Sequence, residues 1–330
     1  MYLSKDERFA QDVPDEGRAH WLVVRQACPE RSAFDRLRPS VEGLTTGGSY
    51  RRLCRTTLMT RAVPFLIVVA VLCPGPVVAA GQRQFRVCAD PENLPFSNRQ
   101  LEGFENKIAG VMAKALGAAP SYVWWGQRRG FIRNTMNATL KEARCDVVIG
   151  VPRGYDLVRT TKPYYRSTYV FVYPKGKGLQ IKSLDDPILK KIKIGVHLFG
   201  DDYTNPPPVH ELAKRGIVDR VIGFETFYSR QNPPSRIIDA VAGGQIDVAI
   251  VWGPAAGYFV AHQRVPLEVV PVPSGKMDLP FAFDISMGVR PGDEALKTQL
   301  EQVLETKHDE IRKILKDYGV PLLDRKVDAK

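Results

Sequence analysis

Apolar and polar positions alternate in a regular succession from residue 85 onward. Phe85-Arg86-Val87-Cys88-Ala89 is a short strand-type run, stopped by Asp90-Pro91. Phe104 to Leu116 places Ile108, Val111, Met112 and Leu116 at helical spacing and ends at Gly117. Tyr122 to Trp125 predicts a strand, Phe131 to Ala143 a second helix, and Asp146 to Val151 a buried strand. This β-α-β-α-β alternation is the signature of a parallel sheet. The same order returns further on. Ile192–Val196, Val221–Gly223 and Val248–Val251 read as strands, with helices over Val209–Arg215 and Ser235–Ala242. Two more strand-like runs follow, Leu267–Val272 and Phe283–Val289. A single long helix is predicted from Asp293 to about Asp317, with Leu296, Leu300, Val303, Leu304, Ile311, Ile314 and Leu315 on its packing face.

Two α/β lobes result, and they need not be consecutive. Lys162–Tyr173 and Leu267–Phe283 are extended and flank the middle block. Read as strands crossing between lobes, they give lobe 1 as 82–172 plus 273–330 and lobe 2 as 173–272.

The first eighty residues stand outside this scheme. From Met59 the chain reads MTRAVPFLIVVAVLCPGPVVAAGQ. Arg61 is a positive lead, Ala62–Cys73 an apolar run, and Val78-Ala79-Ala80 a small-residue cleavage site. That is the layout of a secretory signal peptide over 59–80. The run is shorter than the roughly 20 residues of a membrane-spanning helix, although an uncleaved anchor is the alternative. A lipidated Cys73 is disfavoured by the bulk of Leu72. Residues 1–58 are polar and weakly periodic; they read as an upstream extension of a chain that starts at Met59, or as an unusually long leader.

Composition narrows the classes. The 330 residues are 44% hydrophobic and 25% charged, which suits a globular protein and excludes a wholly disordered one. Net charge is +11; residues 1–80 carry 11 Lys/Arg and 8 Asp/Glu, which leaves the remainder at +8. Such a charge bears on association and solubility. An exported chain without a basic–aromatic module makes nucleic acid a poor partner. None of the five cysteines forms a CxxC pair. Only Cys88 and Cys145 follow residue 80. The periplasm favours a disulfide between them. A plain parallel register would hold them about 13 Å apart at roughly 3.3 Å per residue, whereas a bridge needs Cα atoms within about 7 Å. A disulfide and two buried thiols both remain open. No G-x-S-x-G, HExxH or P-loop is present, and His210-Glu211 lacks a second histidine, so no catalytic role, cofactor or metal is expected.

The order of motifs resembles type II periplasmic solute-binding proteins across residues 81–330. Leu94-Pro95-Phe96, Gly103-Phe104-Glu105, Arg144-Cys145-Asp146, Pro163-Tyr164-Tyr165, Lys182-Ser183-Leu184-Asp185 and Gly244-Gln245-Ile246-Asp247 carry the likeness. It implies two three-layer α/β lobes joined by two crossover strands. CADPENLPFSN, WWGQRRGFIRNT, CDVVIGVPRGYD and VWGPAAGYF look more narrowly like the substrate-binding-protein-like family of quinoprotein dehydrogenases, the J proteins (MoxJ/XoxJ) of methanol-oxidation clusters. This resemblance implies a periplasmic accessory protein that works with a pyrroloquinoline-quinone (PQQ)-dependent methanol or alcohol dehydrogenase and its cytochrome c. The rival role is an ABC-transport receptor for a small solute.

Ligands of such folds sit beyond the carboxyl ends of the strands. The candidate cleft wall is therefore Asp90, Pro95 and Phe96; Trp125, Gln127, Arg128, Arg129 and Phe131; Val151, Pro152 and Arg153; His197, Asp201, Asp202 and Thr204; and Trp252 and Tyr258. Amino-acid receptors of this superfamily place an Asp after the last strand of lobe 2, where this chain has Trp252. An indole cannot balance a buried ammonium, so a free amino acid is a poor ligand.

Overall fold

Strand β1 (Gln84–Ala89) sends Phe85, Val87 and Ala89 to one face and Cys88 to the other, the period-two pattern of a strand covered on both sides. A computed structural model describes residues 83–128, 130–136, 144–199, 205–273 and 277–324. The segments read as upstream extension and signal peptide, 1–58 and 59–80, lie outside the described residues. After β1 come a small hairpin, β2 (Glu92–Asn93) and β3 (Ser97–Asn98), then α1 (Phe104–Ala115), β4 (Ala119–Trp124), α2 (Phe131–Thr135), β5 (Val147–Pro152), β6 (Arg159–Thr160) and β7 (Tyr165–Pro174). A short 3-10 turn leads to β8 (Ile194–Leu198), α3 (Pro207–Lys214), β9 (Val221–Glu225), α4 (Arg236–Ala242), β10 (Val248–Trp252) and α5 (Gly253–Ala261). The chain closes with β11 (Leu267–Pro271), β12 (Ala282–Val289), α6 (Glu294–Thr306) and α7 (His308–Asp317).

The strands order as β4-β1-β5-β12-β7-β10-β8-β9, with β6 on β12 and β11 on β7. β1 runs parallel to β4 and β5 in one lobe; β8 runs parallel to β9 and β10 in the other. The antiparallel strand β7 runs through both, and β12 pairs beside it in the first lobe. The first residues of β7, Tyr165 to Thr168, pair with β12, and Tyr169 onward pairs with β10 and β11. Phe104, Ile108 and Met112 of α1 are fully buried against the first lobe's sheet. Ile237, Ile238 and Val241 of α4 play that part in the second. Burying side chains of this size contributes roughly 1.5–3 kcal/mol each. Among the described residues no helix is long and apolar enough to cross a membrane.

The structure corrects one expectation and adds to others. The long C-terminal helix is two helices, broken at Lys307 (φ −107°, ψ 13°). Residues 305–310 (ETKHDE) offer no apolar side chain to hold that turn on the core. The break lets α7 bury Ile311 and Leu315 while α6 buries Leu300, Val303 and Leu304. The segment VWGPAAGYF carries a helix, α5, that its glycines and proline obscure. Pro254 sits in the first turn, where a missing N–H costs nothing. Gly257 lies against the backbone of Gly319, so any Cβ there would collide with the Gly319 carbonyl. Of the helix expected over Phe131–Ala143, α2 accounts for Phe131–Thr135, and 137–143 lie outside the described residues.

Of the two states left open for the cysteines, the structure has the disulfide. Cys88 and Cys145 are bonded, with Cα atoms 5.5 Å apart. In the observed parallel register Val87 lies opposite Val147 and Cys88 opposite Val148, which leaves Cys145 three positions before the partner of Cys88. What differs is the lead-in. Cys145 precedes β5 and lies among Phe131, Ile132, Met136 and Val148, on the face that receives the Cys88 side chain. Asp146 then anchors the entry: its N–H donates to the Arg86 carbonyl and its carboxylate pairs with Arg86 at 2.6 Å and Arg290 at 3.2 Å. Extrapolating the strand backward in a straight line misplaces Cys145.

Candidate functional site

The site begins where β1 ends. Asp90 is 9% exposed, and its carboxylate accepts the N–H of Glu92 at 2.9 Å and the N–H of Gln127. Gln127 also accepts, through Oε1, from the Asn93 side chain at 2.9 Å. The loops after β1 and β4 are thus tied at one point. Burial pushes the Asp90 carboxyl above its ordinary value, Glu92 adds to this, and the two N–H bonds and Arg128 pull it partly back.

Beside Asp90 stands Glu105, in the first turn of α1. The first N–H groups of that helix are satisfied by the preceding loop: Phe104 donates to the Pro95 carbonyl at 2.8 Å and Glu105 to the Phe96 carbonyl at 2.9 Å. The carboxyl of Glu105 lies over Gly150, where any Cβ would strike Oε1. Gly150 has φ +85°, which glycine adopts without strain. It is the extra residue where β5 slips against β12, because Ile149 faces Met287 and Val151 faces Ser286. Burial raises the Glu105 carboxyl well above its usual range, and the charge of Asp90 raises it further. Tyr165 and Tyr164, 4% and 8% exposed, feel the same carboxyl, and burial raises both phenols. The Tyr164 hydroxyl is buried without a hydrogen-bond partner.

The other lobe supplies rings. Burial raises the Tyr228 phenol, and the charge of Asp90 adds to it. Tyr169, also raised by burial, responds in turn to Tyr228. Trp252 packs edge-on against Tyr169 at 5.4 Å and Phe283 at 5.8 Å, at the point where β10 pairs with β7. The Arg128 guanidinium lies 4.8 Å over the Phe227 ring, a contact from one lobe to the other.

Asp90, Gln127, Arg128 and Trp252 are therefore near this cluster. His197, on β8 opposite Phe224, is held neutral because burial lowers it to about 4. Other candidates go elsewhere. Phe131 and Val151 belong to the core around the disulfide, and Trp125 packs against that core. Pro152 pairs with Ile285, and Arg153 is exposed, with its N–H on the Asp284 carbonyl. Pro95 follows a cis bond and serves α1 through its carbonyl. Phe96 heads a ladder of rings, Phe96–Phe104–Tyr318–Tyr258, in which Tyr258 stacks on Tyr318 at 5.6 Å. Phe96 packs on α1 through Phe104, and Tyr258 joins α5 to the turn after α7 through Tyr318. Arg129, Asp201, Asp202 and Thr204 lie outside the described residues.

Glu105, Tyr164, Tyr165, Tyr169 and Tyr228 were not among the candidates. Glu105, Tyr164 and Tyr165 sit within motifs visible in the sequence, but they precede or start their elements, where a rule about strand ends does not look. Among the described residues no group of three or more His, Cys, Asp and Glu could hold a metal ion.

Two α/β lobes sharing the strand β7, with polar strand ends meeting between them, define a type II periplasmic binding protein. No family model matches the chain. Its relatives are specific, however. Protein MoxJ of Methylorubrum extorquens (strain AM1) is 35% identical over 254 residues, covering 72% of this chain and 81% of that protein. The crystal structure of periplasmic binding protein XoxJ from Methylobacterium extorquens AM1 is 38% identical, with TM-score 0.61, covering 73% of this chain and all of that one. The crystal structure of MxaJ from Methlophaga aminisulfidivorans MPT is 30% identical, with TM-score 0.60, over 72% of this chain and 100% of that chain. The chain belongs to the MoxJ family.

Proposed function

We propose that this protein is a periplasmic accessory of a PQQ-dependent methanol or alcohol dehydrogenase, which it binds and helps to mature or activate, with the cytochrome c of that system as a second partner. Membership of the MoxJ family over more than two thirds of the chain is the observation that carries this reading. The lobe-2 wall adds to it. Where an amino-acid receptor of this fold offers an acid, Trp252 is packed between Tyr169 and Phe283. The lobes are also tied outside the cleft: Tyr258 of α5 stacks on Tyr318, and Gly257 of α5 lies against the Gly319 backbone. Such ties suit a recognition scaffold better than a freely hinging receptor. The chain reaches the periplasm through the signal peptide at 59–80.

The test is capture of the dehydrogenase by the purified protein from a periplasmic extract, followed by activity measurement with and without the protein. Binding with a gain in active enzyme is expected, and an association rate that falls several-fold as the Debye length shrinks from about 10 Å at 0.1 M salt to about 3 Å at 1 M. Failure to bind a correctly folded dehydrogenase at any salt overturns the reading. A transport receptor for a small non-amino-acid solute would then stand in its place; the polar floor at Asp90 and Glu105 is what favours that second reading.

A further inference from the structure

Arg128 follows β4 and Phe227 follows β9, both beyond the carboxyl ends of their strands. In the strand order β4 and β9 stand at opposite ends. The Arg128 guanidinium nevertheless lies 4.8 Å over the Phe227 ring. Each side is seated by its own loop. The Arg128 N–H donates to the Gly126 carbonyl at 2.8 Å, and the Arg128 carbonyl accepts from the Phe131 N–H at 2.9 Å. The neighbouring Gln127 is held by Asp90 and Asn93. The Phe227 carbonyl accepts from the Asn232 side-chain amide at 2.8 Å, and the same amide donates to the Glu225 carbonyl at 3.1 Å. Both side chains are exposed, Phe227 by 54%, so neither serves the core.

The position of this contact makes it sensitive to the angle between the lobes. β7 passes from one lobe to the other between Thr168 and Tyr169. β4 lies four strands from β7 and β9 lies three, which is about 19 Å and about 14 Å at roughly 4.8 Å per strand. At the end of such arms, turning one lobe by about 5° about the crossing point separates ring and guanidinium by roughly 1–2 Å. A cation–π contact fades beyond about 6 Å, so 4.8 Å leaves a margin of that same size. The contacts of α5 with the C-terminal turn lie next to the crossing, because Gly253 abuts the Thr168 carbonyl. The same rotation moves them far less.

We propose that Arg128 and Phe227 form a latch across the mouth of the cleft, which holds the lobes together until an occupant enters between them and breaks it. The ring face attracts the cation by its quadrupole, and the planar guanidinium stacks where an ammonium could not. Because both loops are already fixed by backbone hydrogen bonds, little ordering is needed to make the contact. An exposed contact of this kind shifts a two-state ratio by about two- to fivefold. That is enough to bias the lobes toward closure and little enough for an occupant to overcome. Asp90 holds the Gln127 N–H, so whatever engages Asp90 also disturbs the seat of Arg128. The latch concerns the lobes alone and is independent of the dehydrogenase reading: either can fail while the other stands.

Residual dipolar couplings of the backbone amides report the angle between the lobes, and relaxation dispersion reports a minor open population. In the purified wild-type protein both lobes should share one alignment frame. Phe227→Ala should raise the open-to-closed ratio about two- to fivefold. Arg128→Gln should do the same from the other lobe. The double variant should go no further than the larger single change, because both substitutions remove one contact. Phe227→Trp offers the cation a better ring and should shift the ratio the opposite way. Both positions are exposed, so melting temperatures should barely move. Side chains that served only their own loops would alter local signals and leave the interlobe angle and the open population of both single variants unchanged. That result would overturn the proposal, as would additive effects in the double variant or wild-type lobes that align independently.

Discussion

Asp90 and Trp252 stand at the ends of parallel strands of different lobes, Asp90 just after β1 and Trp252 closing β10. Their surroundings differ in kind. The Asp90 end gathers carboxyls and backbone donors and keeps Glu105 enclosed close by. The Trp252 end gathers rings, with Tyr169 and Phe283 packed edge-on. The lobes differ in fastening too. Lobe 1 carries the Cys88–Cys145 bond beneath the opposite face of its sheet, and the segment 173–272 contains no cysteine. Ionising Glu105 beside Asp90 would set two carboxylates against each other in this lobe. The aromatic lobe has no such repulsion to resist. Charge and apolar surface are thus divided between the lobes, and a ligand that needs both is read only by the two together.

Cutting the fastening should give the largest effect. The bond closes a sequence separation of 57 residues, and a loop of that size corresponds to about 4 kcal/mol of chain entropy. Paired Cys88→Ala and Cys145→Ala substitutions should therefore destabilise the protein by about 3–4 kcal/mol in denaturant unfolding. If the lobes differ as argued, near-ultraviolet signals from Trp124 and Trp125 should broaden before those from Trp252. A loss below about 1 kcal/mol would mean that packing around Phe131 and Met136 already holds the entry to β5.

Protonation of His197 comes next and tests lobe 2. Burial lowers this imidazole from 6.5 to about 4 in the folded state. Above pH 6.5 it is neutral in both states and contributes nothing to the pH dependence. As pH falls from 6.5 toward 4, the unfolded chain takes up a proton that the folded chain refuses, so stability declines across that window. The loss should reach on the order of 2–3 kcal/mol near pH 4. Glu105 and Asp90 have raised values and act in the opposite sense, gaining relative stability as they are protonated. Stability curves of the wild type and His197→Gln, subtracted, cancel the two acids and isolate the lobe-2 contribution. A difference curve that is flat between pH 4 and 6.5 would place His197 in water.

The smallest of the three concerns the bulge beneath Glu105. Gly150→Ala forces a non-glycine residue to φ +85° and displaces the Glu105 carboxyl. The end of a glutamate side chain can swing away, so most of the cost is backbone strain, about 1–2 kcal/mol. The same substitution in a Glu105→Gln background should cost about the same, and the amide signals of β10 should not move. A much larger loss, or a response at Trp252, would mean that the polar and aromatic halves are mechanically coupled rather than only adjacent.

Much of the scaffold is legible from residue spacing alone. The strand and helix alternation and the buried faces of α1 and α4 follow from local apolar periodicity, because burying an apolar stripe is what makes each element stable. Trp252 at the end of β10 and Asp90 at the end of β1 are legible for the same reason: a strand's end can be read from its own residues. What the tertiary structure alone decided is which of these ends meet. Glu105 reaches Asp90 because two loop carbonyls, of Pro95 and Phe96, seat the first turn of α1 and because Gly150 leaves room above β5. Cys145 reaches Cys88 because its segment leaves the strand direction before β5 begins. The ring ladder from Phe96 to Tyr258 joins two cleft candidates that are far apart in sequence. Each of these depends on backbone groups and side chains far apart in sequence whose pairing carries no local periodicity; the free energy that selects them, desolvation and hydrogen-bond completion at a shared place, exists only once the chain has closed around it.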